Sequence, residues 1–257
     1  MSETVFHSRA DFGRLPLGGG KLASHMDSAR DCLIRTHTLL THDLRRNEIE
    51  PYFKRYFVTK MKPGPLKEVL DRIVLTMNGL NNEIRVGVSK NLPSPPNSMN
   101  TQQGQAIVLP STSRGGLKTG ENERPDLLTG NMERMGHIYM TEALVDVKAY
   151  ARETGYKPVP VKTLIHEATH KFAGTIDYWY FSFSEGHLPG EWGAHAPGTK
   201  NFGDAALGKT GDELARMNAD SFGWFCYKVG RTKLTFKEGK ERSKELSSAR
   251  GDGGLIG

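Results

Sequence analysis

The sequence has little cysteine and no long apolar run. Only Cys32 and Cys226 occur among 257 residues, so a disulfide framework is excluded as the basis of the fold. Both cysteines lie on apolar helical patterns, which predicts buried free thiols, although one disulfide between them would also be compatible with the spacing. No apolar stretch approaches the length of a membrane span, so we expect no transmembrane segment.

A secretory signal is also missing. Residues 1–8 contain neither the basic region nor the apolar region of such a signal. We therefore expect the protein either to stay in the cytoplasm or to be exported by a system that does not need this signal.

The net charge is +6, and part of it lies in residues 231–257, which hold seven Lys/Arg against four acidic residues. Basic character favours anionic surfaces such as a cell envelope. No nucleic-acid-binding motif is recognisable, so we predict no specific nucleic-acid partner and interpret the tail as a solvated, flexible segment.

Apolar periodicity predicts a mostly helical chain with a small sheet, an α+β class. The predicted helices cover residues 24–46, 65–80, 141–150, 161–173 and 212–227, and the predicted strands cover 83–88, 105–109 and 137–140. Residues 90–131 are rich in loop-forming residues apart from the strand at 105–109, and they predict either a substrate-flanking or a disordered insertion. Residues 181–211 predict either a lid or substrate loop or a plain surface insertion. We predict one domain over residues 23–230, between a flexible segment (1–22) and the tail (231–257).

The most specific pattern is His166-Glu167-Ala168-Thr169-His170. Two histidines four residues apart lie on one face of a helix, where both imidazoles can reach one ion. A glutamate between them is the arrangement of zinc peptidases, in which this carboxylate is the general base. The sequence therefore predicts one Zn²⁺ per chain.

A catalytic zinc needs a third protein ligand and an open position for water. Spacing alone does not choose among the downstream candidates, which are Asp177, Glu185, His187, Glu191, His195, Asp204 and Glu213. Neither histidine has metzincin spacing, and a glutamate at position 185, 191 or 213 would make the protein a gluzincin.

Three ordered segments resemble one family. Besides the pentapeptide, Gly174-Thr175-Ile176-Asp177-Tyr178-Trp179-Tyr180 is similar to the G-T-x-D-x-x-Y element of the aspzincins, and residues 218–222 (Asn-Ala-Asp-Ser-Phe) resemble their N-A-D-[NS]-Y segment. The aspzincins comprise deuterolysin and the peptidyl-Lys metalloendopeptidases. The resemblance implies a zincin-like fold, with the pentapeptide on a central helix and a closing C-terminal helix.

The resemblance also implies roles for single residues. His166, His170 and Asp177 would be the zinc ligands, Glu167 the general base, and Tyr180 the donor to the oxyanion. Asp177 follows His170 by only seven positions, so the connecting turn must be tight.

A substrate-binding role is implied for Asp220. In lysine-specific members, acidic residues on the closing helix bind the substrate lysine. Asp220 matches one of these positions, whereas the other is Gly223 here. Asp220 could attract a substrate cation, or it could support a zinc-bound histidine instead.

The leading hypothesis is a zinc metalloendopeptidase acting on proteins or peptides. The missing signal and unpaired cysteines resemble a divergent bacterial member, which by analogy could be an exported effector or toxin with an export machinery or an immunity partner. The alternatives are a gluzincin-type amidase or peptidase acting on cell-wall peptides, and a catalytically idle zinc-binding module.

Overall fold

The computed structural model describes residues 5–7, 19–42, 45–81, 86–89, 106–111, 114–118, 121–127, 130–141, 144, 159–177 and 209–232. Within these ranges the helices are α1 (Gly19–Thr41), α2 (Arg46–Phe57), α3 (Pro63–Asn81), α4 (Pro160–Ala173), α5 (Gly211–Ala215) and α6 (Ala219–Arg231). The strands are β1 (Val5–His7), β2 (Val86–Ser89), β3 (Ala106–Pro110), β4 (Asn122–Pro125) and β5 (Met132–Thr141).

The described strands form one mixed sheet in the order β1-β2-β5-β3, with β4 also paired to β5. Strand β2 runs parallel to β5, from Val86 opposite Ile138 to Ser89 opposite Thr141. The other pairs are antiparallel. The long strand β5 therefore organises the sheet, because β2, β3 and β4 all form hydrogen bonds with it.

Helix α4, which carries the pentapeptide, lies at the centre of the described structure. It packs against α1, α3 and α6 and against strands β3, β4 and β5. Its side chains at Leu164, Ile165 and Ala168 are 0% exposed, as the apolar periodicity predicts. A helix packed on so many sides is a rigid support for functional side chains.

An aromatic cluster joins α2 to the closing helix α6. Phe57 of α2 contacts Phe222 and Phe225 of α6, and Phe53 contacts Phe225, with ring centroids 5.0–5.9 Å apart in edge-to-face arrangements. Phe53 and Phe57 also pack on each other at 5.0 Å. Such pairs add to the stabilisation from burial alone. The cluster accounts for α2, which the sequence pattern did not predict because Pro51 and many charged residues interrupt its apolar stripe.

The predicted α+β class is confirmed: the described chain is mostly helical with a small sheet, a central motif helix and a closing C-terminal helix. The predicted helix over 65–80 corresponds to α3, and that over 161–173 to α4. The prediction of one helix over 24–46 is wrong in its boundaries, because α1 ends at Thr41 and α2 begins at Arg46. The helix predicted over 141–150 lies almost entirely outside the described residues.

The continuous helix predicted over 212–227 is wrong. The chain forms α5, breaks, and continues as α6 from Ala219. The break allows Asn218 to make a parallel β-bridge with Ile176. This long-range pairing replaces helical hydrogen bonds and leaves no signal in the local periodicity.

The strand predictions over 105–109 and 137–140 are confirmed as β3 and part of β5, and the strand predicted over 83–88 is described only from Val86. Strand β4 was not predicted, because its four residues are polar or proline. Within the segment over residues 1–22 that the sequence predicts to be flexible, the structure describes two parts. Val5–His7 pairs with β2, and α1 begins at Gly19.

Both cysteines are buried free thiols, as their apolar helical patterns predict. Among the described helices, none is long and apolar enough to cross a membrane.

Lys171 anchors α4 to the sheet. Its side chain is 2% exposed, and its Nζ donates a hydrogen bond to the carbonyl oxygen of Gly136 in β5. Its own carbonyl accepts a hydrogen bond from Nδ2 of Asn122 at 2.6 Å. Burial disfavours the charged ammonium and lowers the pKa of Lys171 to about 8, although the carboxylate of Glu121 opposes this shift.

We expect the free energy of unfolding to rise with pH between about 8 and 10.5 because of Lys171. Over this range the unfolded chain binds a proton at this lysine that the native state has already lost, so raising the pH relieves a cost of folding. The shift corresponds to roughly 3 kcal/mol. Denaturant titrations across this range should show the rise in the wild type and its loss in Lys171→Met. An equal rise in both proteins would contradict the assignment.

Candidate metal centre

Helix α4 presents the two motif histidines on one face. Pro160 lies in its first turn, where a missing N–H costs nothing, and Gly174 ends it with a left-handed φ of 74°. His166 is 4% exposed, and its ring centroid lies 4.8 Å from that of His170 one turn later. The spacing therefore brings the two imidazoles together as the sequence predicts.

A tight turn after α4 folds the chain back over these histidines. Gly174 directs the chain into the turn, and the hydroxyl of Thr175 donates to that of Thr169 at 2.8 Å. The hydroxyl of Thr169 in turn donates to the carbonyl of His166 at 2.7 Å. This buried hydroxyl chain ties the turn to the helix that it follows.

The end of the turn is held by the β-bridge to the segment before α6. The N–H of Ile176 donates to the carbonyl of Met217 at 2.9 Å, and the N–H of Ala219 donates to the carbonyl of Ile176 at 3.0 Å. Asp177 follows directly. Its backbone position is thus set by a connection to α6. Seven positions after His170 are therefore enough to bring the carboxylate of Asp177 back to the histidines.

Asp177 meets both histidines at the same point. Its Oδ1 lies 3.0 Å from Nε2 of His166 and 3.1 Å from Nε2 of His170, and the two Nε2 atoms are 3.2 Å apart. No other group of three or more His, Cys, Asp or Glu side chains in the described residues could hold a metal ion. The three atoms form a nearly equilateral triangle.

This triangle fits zinc. Zn–N bonds of 2.0–2.1 Å in a tetrahedron place neighbouring ligand atoms about 3.3 Å apart, close to the observed separations. Two imidazoles and one carboxylate also form a donor set that zinc accepts. A metal ion can therefore be held by His166, His170 and Asp177, and no fourth His, Cys, Asp or Glu among the described residues joins this group. A tetrahedral ion held this way would have a fourth position for water or substrate.

The outer nitrogen of each imidazole also has a partner. Nδ1 of His170 lies 2.7 Å from the carbonyl oxygen of Thr175, which selects the tautomer whose Nε2 is free to bind a metal. Nδ1 of His166 lies 3.3 Å from Oδ1 of Asp220. Such outer contacts orient the rings of metal-binding histidines.

The carboxylate of Asp177 and the two imidazoles stabilise one another's charged forms. Burial opposes protonation of His166, but the carboxylates of Asp177 and Asp220 outweigh it and raise its pKa to about 10. Burial opposes ionisation of Asp177, yet the two imidazoles hold its pKa well below the usual range. The carboxylate is therefore ionised, and a metal ion bound at the triangle would displace the proton from His166.

Glu167 lies beside the triangle. It is 6% exposed, and its Oε1 is 3.9 Å from Nε2 of His166. Burial raises the pKa of Glu167, with the nearby imidazoles opposing the shift. A carboxylate with a raised pKa is better matched to accepting a proton near neutral pH.

The structure gives Asp220 a different environment from that of an open substrate subsite. The residue is 0% exposed, and its Oδ1 contacts both His166 and the ammonium of Lys162. These contacts favour the second of its two predicted roles, the support of a metal-binding histidine. Lys162 was not singled out in the sequence, because a lysine one turn before His166 carries no motif signal.

Of the remaining candidates, Glu213 alone lies among the described residues. Glu213 caps α5, where its Oε2 accepts a hydrogen bond from the N–H of Thr210 at 2.7 Å. Tyr180, the predicted oxyanion donor, lies outside the described residues. The same holds for Glu185, His187, Glu191, His195 and Asp204.

We expect Gly174→Ala to lower both stability and zinc affinity. A left-handed backbone costs a residue with a Cβ roughly 1–2 kcal/mol, and this Cβ would also lie 2.5 Å from the carbonyl oxygen of Pro125. Gly130 is a matched control, because its φ is 71° and nothing lies within 4 Å of its Cβ position. Denaturant titration and zinc competition should show the larger loss for Gly174→Ala; equal losses in the two variants would contradict the role of this turn.

Comparison with protein-family models finds no match, and comparison with curated proteins finds none either. Among solved structures, the chain is similar to a zinc peptidase from Grifola frondosa, at 17% sequence identity and a TM-score of 0.45. The alignment covers 81% of this chain and 93% of the other. Identity this low leaves the function to be inferred from the site itself.

Proposed function

We propose that the protein is a zinc-dependent endopeptidase. The observation that carries the proposal is the triangle formed by the Nε2 atoms of His166 and His170 and Oδ1 of Asp177, with separations of 3.0–3.2 Å. A buried glutamate with a raised pKa lies next to it. Three ligands, an open fourth position and an adjacent base are the parts that metal-assisted hydrolysis requires.

Zinc bound at this triangle would supply a Lewis acid and an acidified water near neutral pH. Glu167 would accept the proton of the attacking water at its carboxylate and later pass a proton to the leaving amine. Asp177 reduces the net charge of the centre and fixes the third ligand position. We further propose Tyr180 as the donor to the oxyanion, the role that the aspzincin resemblance implies.

The substrate class and cellular setting belong to the same proposal. Zinc peptidases of this kind act on proteins or peptides, and the net charge of +6 also favours peptides of an anionic cell envelope. Export by a signal-independent machinery, with an immunity or inhibitor partner, remains a prediction from the sequence.

The test is hydrolysis by purified, zinc-loaded protein of denatured casein and of peptidoglycan, assayed side by side. We expect about one zinc per chain and cleavage within the casein chain, lost on treatment with a chelator and restored by zinc. Release of peptides from peptidoglycan alone would select the cell-wall alternative. Stoichiometric zinc without turnover of either substrate would select the idle zinc-binding module.

A further inference from the structure

Lys162 and Asp220 form an ion pair directly behind His166. Asp220 lies in the first turn of α6 and is fully buried. Its Oδ1 contacts the ammonium nitrogen of Lys162 and lies 3.3 Å from Nδ1 of His166. A buried carboxylate requires compensating charge, and here the ammonium of Lys162 provides it.

Gly223 leaves the space through which Lys162 reaches Asp220. A Cβ at position 223 would lie 3.1 Å from the carbonyl oxygen of Lys162, 3.3 Å from its Cε and 3.2 Å from Cβ of His166. The methylene chain of Lys162 therefore lies where a side chain on this turn of α6 would point. Its ammonium is also 5.6 Å from the ring centroid of Trp224, a second favourable contact for a cation.

The ion pair is close to the proposed reaction centre. A single imidazole ring, that of His166, separates it from the ligand triangle, because Nδ1 faces Asp220 and Nε2 faces Asp177. A lysine carries its ammonium on a flexible four-carbon stem, so a lysine near the cleaved bond can reach across one imidazole ring. An open carboxylate here would favour substrates that carry a cation.

We propose that Lys162 is a specificity-determining residue, because its ammonium pairs with the carboxylate of Asp220 and so prevents cationic groups of a substrate from binding there. This inference rests on the peptidase function proposed above. The side chain of Lys162 is 14% exposed, so Lys162 and not the buried Asp220 meets the solvent. Substrates of the wild-type protein consequently need no lysine or arginine next to the cleaved bond.

The first test replaces the lysine by a small side chain and supplies a free amine. In Lys162→Ala, propylammonium can enter the vacated space and pair with Asp220, so we expect it to raise the unfolding temperature as its concentration increases. Lys162→Met fills the space without charge, and Lys162→Ala/Asp220→Asn removes the partner. Neither should respond to propylammonium beyond the wild-type level.

A matched control is Lys228→Ala. Nζ of Lys228 lies 5.6 Å from the same Trp224 ring, and its side chain projects from α6. Its truncation should create no response to propylammonium. A response in Lys228→Ala equal to that in Lys162→Ala, or no response in Lys162→Ala, would overturn the proposal.

The second test uses peptides that differ only in lysine or norleucine at the residues flanking the cleaved bond. The wild type should cleave both with similar kcat/KM, and Lys162→Ala should prefer lysine by about tenfold or more, the value of one charge-assisted contact. A strong lysine preference in the wild type would overturn the proposal even if Lys162→Ala could not be purified. The amine response needs no turnover, so a protein that binds the amine as expected but cleaves nothing would refute the peptidase function alone.

Discussion

Replacing Glu167 by glutamine should abolish most of the hydrolysis and leave the metal in place. Glutamine keeps the shape of the buried side chain but cannot accept a proton, so the attacking water loses its base. General-base catalysis contributes about 10²–10⁴-fold, and we expect kcat/KM to fall by that factor. Because Glu167 lies beside the ligand triangle and not in it, zinc content should stay at about one per chain.

Two measurements on the same protein preparation check this expectation: zinc by atomic absorption and cleavage of a quenched fluorescent peptide. Glu48→Gln is a suitable control, because Glu48 is an exposed residue of α2 whose ion pair with Arg45 lies away from the ligand triangle. Full activity in Glu167→Gln would remove Glu167 from the mechanism. Loss of zinc together with activity would make it a ligand and not a base.

Removing the carboxylate of Asp177 should, unlike the change at Glu167, abolish both zinc binding and hydrolysis. Asp177→Ala deletes one of the three ligand atoms and leaves two imidazoles, which bind zinc weakly. Removing a residue that hydrogen-bonds to a zinc ligand typically weakens zinc binding by 10–100-fold. Loss of a direct ligand should therefore weaken it by at least about 100-fold. Competition with a chromogenic chelator measures the dissociation constant directly.

Asp71→Asn controls for the removal of a negative charge. Asp71 lies on α3 in an exposed ion pair with Lys67, and such pairs contribute little. Its zinc affinity should equal that of the wild type. If Asp177→Ala retained wild-type affinity, the third ligand would have to come from elsewhere in the chain, and Glu185 and Glu191 would become the leading candidates.

The parts of this site that the sequence could predict are those with a fixed local spacing. His166 and His170 share a helix face because four residues complete about one turn, and the apolar stripe of α4 predicts that this helix is packed. The place of Asp177 was implied by a resemblance and not by spacing. The structure supplies the physical reason, since a left-handed Gly174 and the bridge at Ile176 bring the chain back within seven residues.

The parts that could not be predicted depend on contacts between distant segments. The break between α5 and α6 exists because Asn218 pairs with Ile176, and no local pattern encodes that pairing. The ion pair between Lys162 and Asp220 likewise depends on how closely α6 approaches α4 at Gly223. Periodicity reports which face of a helix is buried, but it does not report which helix will cover that face.

The central claim is that a metal ion is held by His166, His170 and Asp177, and the most direct measurement is the first coordination shell of zinc in the purified protein. We predict that a crystal structure with anomalous scattering at the zinc edge will show two imidazole nitrogens and one carboxylate oxygen of Asp177 at about 2.0–2.2 Å. The fourth position should hold water. A glutamate in place of Asp177, or a protein that binds no zinc under these conditions, would contradict the account.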